Sequence, residues 1–273
     1  MPELPEVEIV VRGLKKVILN RTIASVAIKT PKINSDNYAG WKKDLEGKTV
    51  LDIRRRGKNI LIELSDRYIL WVHLKMTGRF YFLPEDSPSD KHDLVVFHFK
   101  HNGRILRFND YRRFGRIRLI RADSLGTQKG LAELGPEPLE ITAEDFIRRV
   151  RSARRMIKPA LLDQTFIAGL GNIYADEALY AAGIHPRRST DRISPRKLRL
   201  LHGHIQRLLK KSIRLMGTTV DSFAGINGQT GRFQSYLLAY GREGQPCGIC
   251  GTGIRREKIG SRSAHYCPRC QRR

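Results

Sequence analysis

Hydrophobic and polar residues alternate through much of the first half of the chain. Between residues 20 and 121, eight short stretches keep this two-residue period, with turn-forming residues between them. Alternation of this kind buries one face of a β-strand. The predicted strands are Ile23–Ile28, Thr49–Ile53, Ile60–Leu64, Ile69–Leu74, Arg79–Phe82, Val95–Phe99, Arg104–Phe108 and Arg116–Ile120. Together they predict a sandwich or a flattened barrel.

A helical period replaces the alternation before and after the strands. Behind Pro5, the apolar stripe from Val7 to Ile18 predicts a first helix. Later helices are predicted over 142–151, 158–164, 172–182 and 194–216, the last between the start signal Ser194-Pro195 and the stop signal Gly217. The glycine-rich stretch 217–233 has little periodicity, which predicts a loop lying over a pocket.

All four cysteines fall near the end of the chain. They form the pattern Cys247-x-x-Cys250, sixteen residues, Cys267-x-x-Cys270. This spacing is typical of four thiolates that bind one structural zinc ion in a ribbon. Reduced thiols or two disulfides are the alternatives, and disulfides would require an oxidising compartment. A tail this short has no core of its own, so the metal would supply its folding energy.

These patterns predict an α+β protein of several domains. We expect a helix and β-sandwich over residues 1–133, a linker over 134–141, a helical domain over 142–238 that includes the loop 217–233, and a zinc ribbon over 239–273. The extended spacer Leu134–Pro138 marks the main boundary.

Charge narrows the class of partner. Lys and Arg number 51 against 27 Asp and Glu, which gives a formal net charge of +24 and a pI near 10.4. Such an excess favours a polyanionic partner. A membrane partner is disfavoured, because no apolar run is long enough to span a bilayer and residues 1–8 are acidic where a signal peptide would be basic. We therefore expect a soluble, intracellular protein.

The first residues place a potential nucleophile at the chain terminus. Removal of Met1 would leave the ring nitrogen of Pro2 as a free secondary amine, which can attack a sugar carbon and form an iminium. The carboxylate of Glu3 lies beside it. The following helix N-terminus disfavours an ammonium and favours carboxylates. The alternative is a proline-rich helix entry that only caps the helix.

Five segments together resemble bacterial formamidopyrimidine-DNA glycosylase. They are the start Pro2–Glu8, the segments His73–Gly78, Arg112–Gly115 and Gly169–Glu177, and the zinc ribbon. The resemblance runs from end to end. It implies an N-terminal β-sandwich, a helix–two-turn–helix domain and a zinc finger. It also implies removal of oxidised purines, 8-oxoguanine and formamidopyrimidines, from double-stranded DNA, followed by strand cleavage through β,δ-elimination.

The resemblance also assigns roles to individual residues. Pro2 would be the nucleophile at C1′, Glu3 the acid/base that assists ring opening, and Glu6 a supporting carboxylate. Lys58 would transfer protons in β-elimination. Arg262 would serve δ-elimination, by orienting a phosphate because a guanidinium keeps its proton.

Further positions match the DNA-binding pattern of the family. The resemblance makes His92, Arg113, Arg154, Lys158 and Asn172 DNA contacts, the last two as phosphate ligands. A glycosylase must extrude its target base and fill the gap, and the matching wedge is Met76, Arg112 and Phe114. Ordinary core packing is the alternative for Met76 and Phe114.

Three functions remain open at this point. The first is the bifunctional purine glycosylase and lyase, which the wedge and the Leu4-Pro5 start favour. The second is an enzyme resembling endonuclease VIII, which acts on oxidised pyrimidines with the same nucleophile. The third is a non-catalytic zinc-ribbon DNA-binding protein. For the favoured reading we expect a monomer in the bacterial cytoplasm, associated with the nucleoid through DNA binding.

Overall fold

A computed structural model describes residues 1–30, 38–219, 225–226 and 228–273. Within these residues the helices are α1 (Leu4–Ile18), α2 (Tyr38–Leu45), α3 (Ala143–Ser152), α4 (Ile157–Leu162), α5 (Asn172–Ala181) and α6 (Pro195–Arg214). The strands are β1 (Ile23–Ile28), β2 (Val50–Arg56), β3 (Asn59–Leu64), β4 (Tyr68–His73), β5 (Arg79–Pro84), β6 (Asp93–Phe99), β7 (Arg104–Asn109), β8 (Arg116–Arg121), β9 (Arg255–Ile259) and β10 (Arg262–Tyr266). The described chain forms two compact units, 1–132 with 216–232 and 133–215 with 233–273.

The first unit is built on two four-stranded antiparallel sheets. Their strand orders are β1-β6-β7-β5 and β2-β3-β4-β8. Apolar side chains from both sheets enter one core, in which Phe80, Phe97 and Phe108 are almost fully buried. The alternating pattern therefore located all eight strands, and the predicted β-sandwich and α+β class are confirmed.

Helix α1 packs its apolar stripe into this core. Val7, Val10, Leu14 and Ile18 are buried there, as the 3.6-residue period predicts. The sequence analysis did not predict α2, an eight-residue helix whose Trp41 and Leu45 are also buried in the core. Two buried positions in so short a segment give too little periodicity to identify a helix.

Part of the glycine-rich loop belongs to the first unit. The sequence analysis grouped residues 217–233 with the helical domain, but the described residues between 216 and 232 cluster with the sandwich. Ile226 is buried in the sandwich core, and a Cβ at Gly13 of α1 would lie 3.0 Å from its Cδ1 atom. Residues 220–224 and 227 of this predicted pocket-covering loop lie outside the described residues.

The second unit joins helices α3–α6 to the finger. Ser194 caps α6 by accepting a hydrogen bond from the Lys197 backbone N–H, as the start signal predicts. The finger, which carries the hairpin β9–β10, shares a small core with α5 through residues that flank the hairpin, and this core is formed by Tyr180, Ala239, Cys247, Ile254 and Cys267. The finger and the helices are thus one compact unit, where the sequence analysis placed a boundary at residue 239.

Two neighbouring carboxylates of α5 connect this helix to the finger and to the segment that leads into it. Asp176 accepts hydrogen bonds from the His265 backbone N–H at 2.9 Å and from Lys158 Nζ at 2.5 Å. Glu177 accepts from three consecutive backbone N–H groups, those of residues 238, 239 and 240, at 2.8–2.9 Å. Burial raises the pKa of Glu177, and these three donors oppose that rise.

No helix in the described part of the chain is both long and apolar enough to cross a bilayer.

Candidate active site

The candidate nucleophile lies immediately before α1. Pro2 is buried, and Glu3, which is 3% exposed, is the N-cap of the helix. The Glu3 carboxylate accepts a hydrogen bond from the Glu6 backbone N–H, while Glu6 Oε2 accepts from the Glu3 backbone N–H at 2.9 Å. This reciprocal capping box fixes the backbone that carries Pro2.

Glu6 also connects this terminus to the segment that follows α6. Its second oxygen, Oε1, accepts a hydrogen bond from the Thr218 backbone N–H at 2.9 Å. Gly217 has a left-handed φ of +81°, and a Cβ there would lie 3.0 Å from Glu6 Oε1. A glycine is therefore needed at this close approach. Glu6 supports the position of Glu3 and Pro2 rather than acting as a solvent-exposed group.

Lys58 lies in a two-residue turn between β2 and β3. The flanking residues Arg56 and Asn59 pair directly, and Gly57 supplies the positive φ of 56° that the tight turn requires. Arg55 donates to Gly57 O at 3.0 Å and to Glu8 Oε2 of α1 at 3.1 Å. This guanidinium ties the turn to the helix that carries the N-terminus. Lys58 itself is 6% exposed.

The structure adds His73 to the site, a residue that the sequence analysis quoted within a motif but gave no role. His73 pairs with Asn59, the residue after Lys58, across β3 and β4. Its Nδ1 atom accepts a hydrogen bond from the Lys75 backbone N–H at 2.9 Å, so a neutral ring carries its proton on Nε2. Burial, together with the charges of Lys75 and Lys58, lowers the pKa of His73 to about 3. A neutral Nε2–H donor therefore lies near Lys58. The sequence offered one sign of this residue, a histidine near the end of a predicted strand and two residues before a lysine.

The three predicted wedge residues all have exposed side chains. Met76 is 37% and Phe114 is 47% exposed, which excludes core packing for both. The Arg112 guanidinium lies 4.8 Å from the centroid of the Phe114 ring. Arg113 is exposed as well and has a left-handed φ of 57°. The sandwich thus presents two apolar side chains and two guanidinium groups on neighbouring loops.

The loop that carries His92 is held in place by buried polar contacts of Asp93 and Arg107. Asp93 accepts from the Asn109 side chain at 2.9 Å and from the Asp90 backbone N–H at 3.0 Å. Arg107, 5% exposed, donates to the backbone carbonyls of Ser87 and Pro88. These contacts hold the loop backbone, while His92 remains partly exposed at its end.

In the second unit the predicted DNA contacts differ in exposure. Arg154 is exposed, and Asn172 is the first residue of α5, at the positive end of the helix dipole, which favours an anion. Lys158 is instead fully buried, with Nζ 2.5 Å from both Asp176 Oδ1 and Ser263 O. The phosphate contact expected for Lys158 is disfavoured, because its ammonium is already paired inside the protein and does not reach solvent.

Arg262 lies at the tip of the finger hairpin. It opens β10, pairs with Ile259 and is exposed. Gly260 in the intervening turn has a φ of 61°. An exposed guanidinium at the tip of a hairpin is suited to contact with a phosphate.

The four cysteines form a metal site with the geometry expected for zinc. Their Sγ atoms all lie within 4.8 Å of one another, with Cys247–Cys270 at 3.9 Å and Cys250–Cys267 at 3.5 Å. Thiolates bound tetrahedrally at the usual zinc–sulfur distance lie about 3.8 Å apart. The hydroxyl and backbone N–H of Thr252 lower the pKa of Cys250 to about 6, which favours the thiolate.

A tyrosine of α5 contacts one of these sulfurs. Tyr180 Oη lies 3.1 Å from Cys247 Sγ. Burial raises the pKa of Tyr180, so the hydroxyl keeps its proton and donates to the sulfur. Hydrogen bonds of this kind orient metal ligands and adjust their basicity.

The β-sandwich with Pro2 just before its capped first helix, the helical unit and the zinc finger together form the architecture of a zinc-finger DNA glycosylase. Family models match most of the chain. They are the formamidopyrimidine-DNA glycosylase N-terminal domain over residues 1–117, the H2TH domain of the same enzyme over 134–224, and the zinc finger found in FPG and IleRS over 244–273.

Curated relatives and solved structures agree with these matches. The formamidopyrimidine-DNA glycosylase of Pelotomaculum thermopropionicum is 46% identical over 100% of this chain and 99% of its own length. That of Lactobacillus helveticus is 42% identical over 99% of each chain. A mutant of the Lactococcus lactis enzyme, in complex with a Fapy-dG containing DNA, is 37% identical and superimposes with a TM-score of 0.93 over 100% of both chains.

The chain belongs to the formamidopyrimidine-DNA glycosylase family. It is a base excision repair glycosylase that binds DNA and carries a structural zinc ion held by Cys247, Cys250, Cys267 and Cys270. The non-catalytic DNA-binding alternative is therefore wrong. It accounted for the charge and the cysteines but not for the N-terminal segment.

Proposed function

We propose that this enzyme excises 8-oxoguanine and formamidopyrimidines from duplex DNA and then cuts the strand by β,δ-elimination. The observation that carries the proposal is the buried Pro2 held by the capping box of Glu3 and Glu6. The names of the curated relatives support the formamidopyrimidine substrate.

Attack by Pro2 begins the reaction. Once Met1 is removed, the secondary amine attacks C1′ and gives its proton to the Glu3 carboxylate, while the N-glycosidic bond breaks and the oxidised base leaves as an anion that takes a proton from water. Glu3 then passes the amine proton to the sugar ring oxygen as the ring opens, which leaves an iminium between Pro2 and C1′. The positive end of α1 disfavours protonation of the free amine, so the lone pair stays available.

Strand cleavage follows from the iminium. Loss of a proton from C2′ expels the 3′ phosphate, and a second elimination expels the 5′ phosphate. Lys58 transfers protons in these eliminations, and the contacts that Arg55 makes with Gly57 of the turn and with Glu8 of α1 support this role. Arg262 orients a phosphate during the second elimination. Hydrolysis of the iminium then restores the amine.

The wedge makes an intrahelical base accessible. Met76 and Phe114 present apolar surface to unstacked bases, and Arg112 offers donors to the orphaned cytosine. His92, Arg113, Arg154 and Asn172 serve as DNA contacts, with Asn172 as a phosphate ligand at the start of α5.

An oxidised-pyrimidine substrate is the second candidate. A solved complex of the wild-type Lactococcus lactis enzyme contains an oxidised pyrimidine in its DNA; that enzyme is 38% identical to this chain and gives a TM-score of 0.92. The same nucleophile would serve either lesion. The exposed Met76 and the Arg112–Phe114 pair favour the purine substrate as the main one.

Borohydride trapping distinguishes these substrates. Two duplexes are compared, one with a single 8-oxoguanine opposite cytosine and one with a single thymine glycol, alongside an undamaged duplex. We expect a covalent adduct that forms faster with 8-oxoguanine and does not form with undamaged DNA. An adduct with thymine glycol alone would support the pyrimidine enzyme, and no adduct with either lesion would refute the proposed chemistry.

Assembly and location complete the proposal. We infer a monomer, because one chain supplies every residue assigned above. We further infer residence in the bacterial cytoplasm with nucleoid association, since a net charge of +24 favours DNA. Sedimentation at micromolar concentration tests the first statement.

A further inference from the structure

One buried carboxylate joins the two loops that carry the wedge. Met76 lies on the loop between β4 and β5, and Arg112 and Phe114 lie on the loop between β7 and β8. Asp110, which is 0% exposed, accepts a hydrogen bond from the Thr77 hydroxyl on the first loop. It also accepts from the Arg112 backbone N–H at 3.1 Å.

The same carboxylate closes the second loop on itself. Asp110 Oδ2 accepts from the Gly115 backbone N–H at 2.7 Å, and the Asp110 carbonyl accepts from the Arg113 N–H at 3.1 Å. Its own backbone N–H donates to His92 O at 3.0 Å. Asp110 therefore contacts the backbone or side chains of all three loops that hold the proposed DNA contacts of the sandwich.

Close packing leaves these loops little freedom to move apart. A Cβ at Gly78 would lie 2.9 Å from Phe108 Cζ, and a Cβ at Gly115 would lie 2.6 Å from the same atom. Both loops thus pass directly over one buried ring. Lys75 and Arg113 adopt left-handed φ angles of 53° and 57°, which residues with side chains keep only where their surroundings hold them.

We propose that Asp110 is a positioning residue that presets Met76, Arg112 and Phe114 as one rigid wedge. This inference rests on the wedge role given under the proposed function. The Thr77–Asp110 hydrogen bond is the side-chain link between the two loops. Its loss frees one loop from the other, so the wedge must order itself while it enters the duplex.

Three substitutions separate the parts of this link. Thr77→Val keeps the shape of the side chain and removes the hydroxyl. Thr77→Ser keeps the hydroxyl and is the matched control. Asp110→Asn can retain the oxygen that faces Thr77 and Arg112, but it presents an amide N–H to the Gly115 N–H and loses that acceptor.

The readout compares a substrate that needs the wedge with one that does not. The first is a duplex with 8-oxoguanine opposite cytosine and 2-aminopurine beside the lesion, whose fluorescence rises when the stack opens. The second is a single-stranded oligonucleotide with one abasic site, which has no stack to open. Stopped-flow fluorescence follows opening of the duplex, and borohydride trapping follows chemistry on both substrates.

We expect Thr77→Val to slow both the fluorescence rise and trapping on the duplex about tenfold, the effect of losing one hydrogen bond to a charged group. Trapping on the single strand should stay at the wild-type rate, and Thr77→Ser should restore the duplex rate. Asp110→Asn loses the acceptor for the Gly115 N–H instead of the Thr77 link, and it should also slow the duplex reaction alone, so it tests the positioning role of Asp110 independently if Thr77→Val does not fold.

Two results would overturn the inference. Equal slowing on both substrates would indicate a general structural role, and unchanged rates on both would show that the link has no effect on the wedge. If wild-type protein traps neither substrate, the proposed function fails first, and that failure is recognised without any variant.

Discussion

At the residue scale, the two carboxylates at the start of α1 have different tasks. Both oxygens of Glu6 accept backbone N–H groups, those of Glu3 and Thr218. The Glu3 carboxylate accepts the Glu6 backbone N–H. An amide at position 3 can keep that capping bond, whereas an amide at position 6 must lose one acceptor. Chemistry and structure can therefore be tested separately at these two positions.

Glu3→Gln should bind lesion DNA and stall before base release. An amide cannot take the amine proton as Pro2 attacks C1′, so the single-turnover rate of 8-oxoguanine release should fall by about a hundredfold or more. Gel shift and thermal unfolding should match the wild type. Glu6→Gln is the matched control and should lose about 1–3 kcal/mol of unfolding free energy. Normal excision by Glu3→Gln would assign the proton transfer to another group.

His73 makes stability depend on pH. Its folded pKa of about 3 lies below its ordinary value of 6.5, so the unfolded chain binds the extra proton between these two values. The free energy of unfolding is then fully retained above pH 6.5 and falls as the pH drops toward 3, by about 1.4 kcal/mol per pH unit for one proton.

His73→Asn should remove this part of the pH dependence. The Asn side-chain oxygen can still accept the Lys75 N–H and carries no titrating group. Urea unfolding at pH 7, 6, 5 and 4 should give a smaller slope of unfolding free energy against pH for the variant than for the wild type. An equal slope in wild type and His73→Asn would contradict the burial of a neutral ring.

At the element scale, α4, α5 and β10 share one buried ion pair. Lys158 of α4 contacts Asp176 of α5 and the Ser263 carbonyl of β10, with no solvent exposure of either charged side chain. Removing one member of a buried pair leaves the other charge unpaired in a medium of low polarity. The pair is therefore a structural connection between the helices and the finger.

Lys158→Met should destabilise the second unit by about 3–5 kcal/mol. A phosphate ligand would behave differently, because its loss would lower the slope of log affinity against log salt by about 0.9 with little change in stability. Arg154 lies at an exposed position, so Arg154→Gln is the matched variant that should show the reduced salt slope with little change in stability. If Lys158→Met unfolds like the wild type and only its salt slope falls, the phosphate role is restored.

The elements of this fold could largely be predicted, whereas several contacts between them could not. Alternation located all eight strands, and cysteine spacing located the metal ligands. The short α2 lacked a clear period. The burial of Lys158 depends on Asp176 and on Ser263, a residue 105 positions away, and no local pattern in the sequence shows such a partner. The role of Asp110 was missed for the same reason.

At the scale of the whole molecule, zinc stabilises more than the finger hairpin. Cys247 and Cys267 share a core with Tyr180 of α5, and Tyr180 Oη lies 3.1 Å from Cys247 Sγ. Metal binding is thus connected to the helical part of the same unit, so removing the metal should destabilise α5 as well as the hairpin.

Chelation of zinc, or Cys250→Ala, should unfold the finger and weaken DNA binding. Hydrogen exchange should show lost protection from about residue 241 onward, since four thiolates without a metal repel one another, with a smaller loss in α5. The salt slope should fall by about 0.9 for each lost phosphate contact. Unchanged affinity and salt slope in the metal-free protein would contradict a DNA-binding finger.

Tyr180→Phe tests the connection to α5 without touching a ligand. Loss of the hydroxyl should speed zinc transfer to a chelator severalfold and shift the thiolate-to-metal absorption of the cobalt-substituted protein. Tyr266→Phe is the matched control, because that hydroxyl donates to Glu257 at 2.8 Å rather than to a cysteine. Equal release rates in both variants would show that the Tyr180 contact does not stabilise the metal site.

The central claim is that the N-terminal proline carries the covalent chemistry, and peptide mapping of the trapped adduct tests it most directly. Protein reduced with borohydride on an 8-oxoguanine duplex is digested with nuclease and trypsin and analysed by mass spectrometry. We predict that the sugar remnant lies on the peptide Pro2–Arg12, attached to the proline nitrogen and with Met1 absent. A remnant on Lys58 or on any other lysine, with an unmodified N-terminal peptide, would contradict the account.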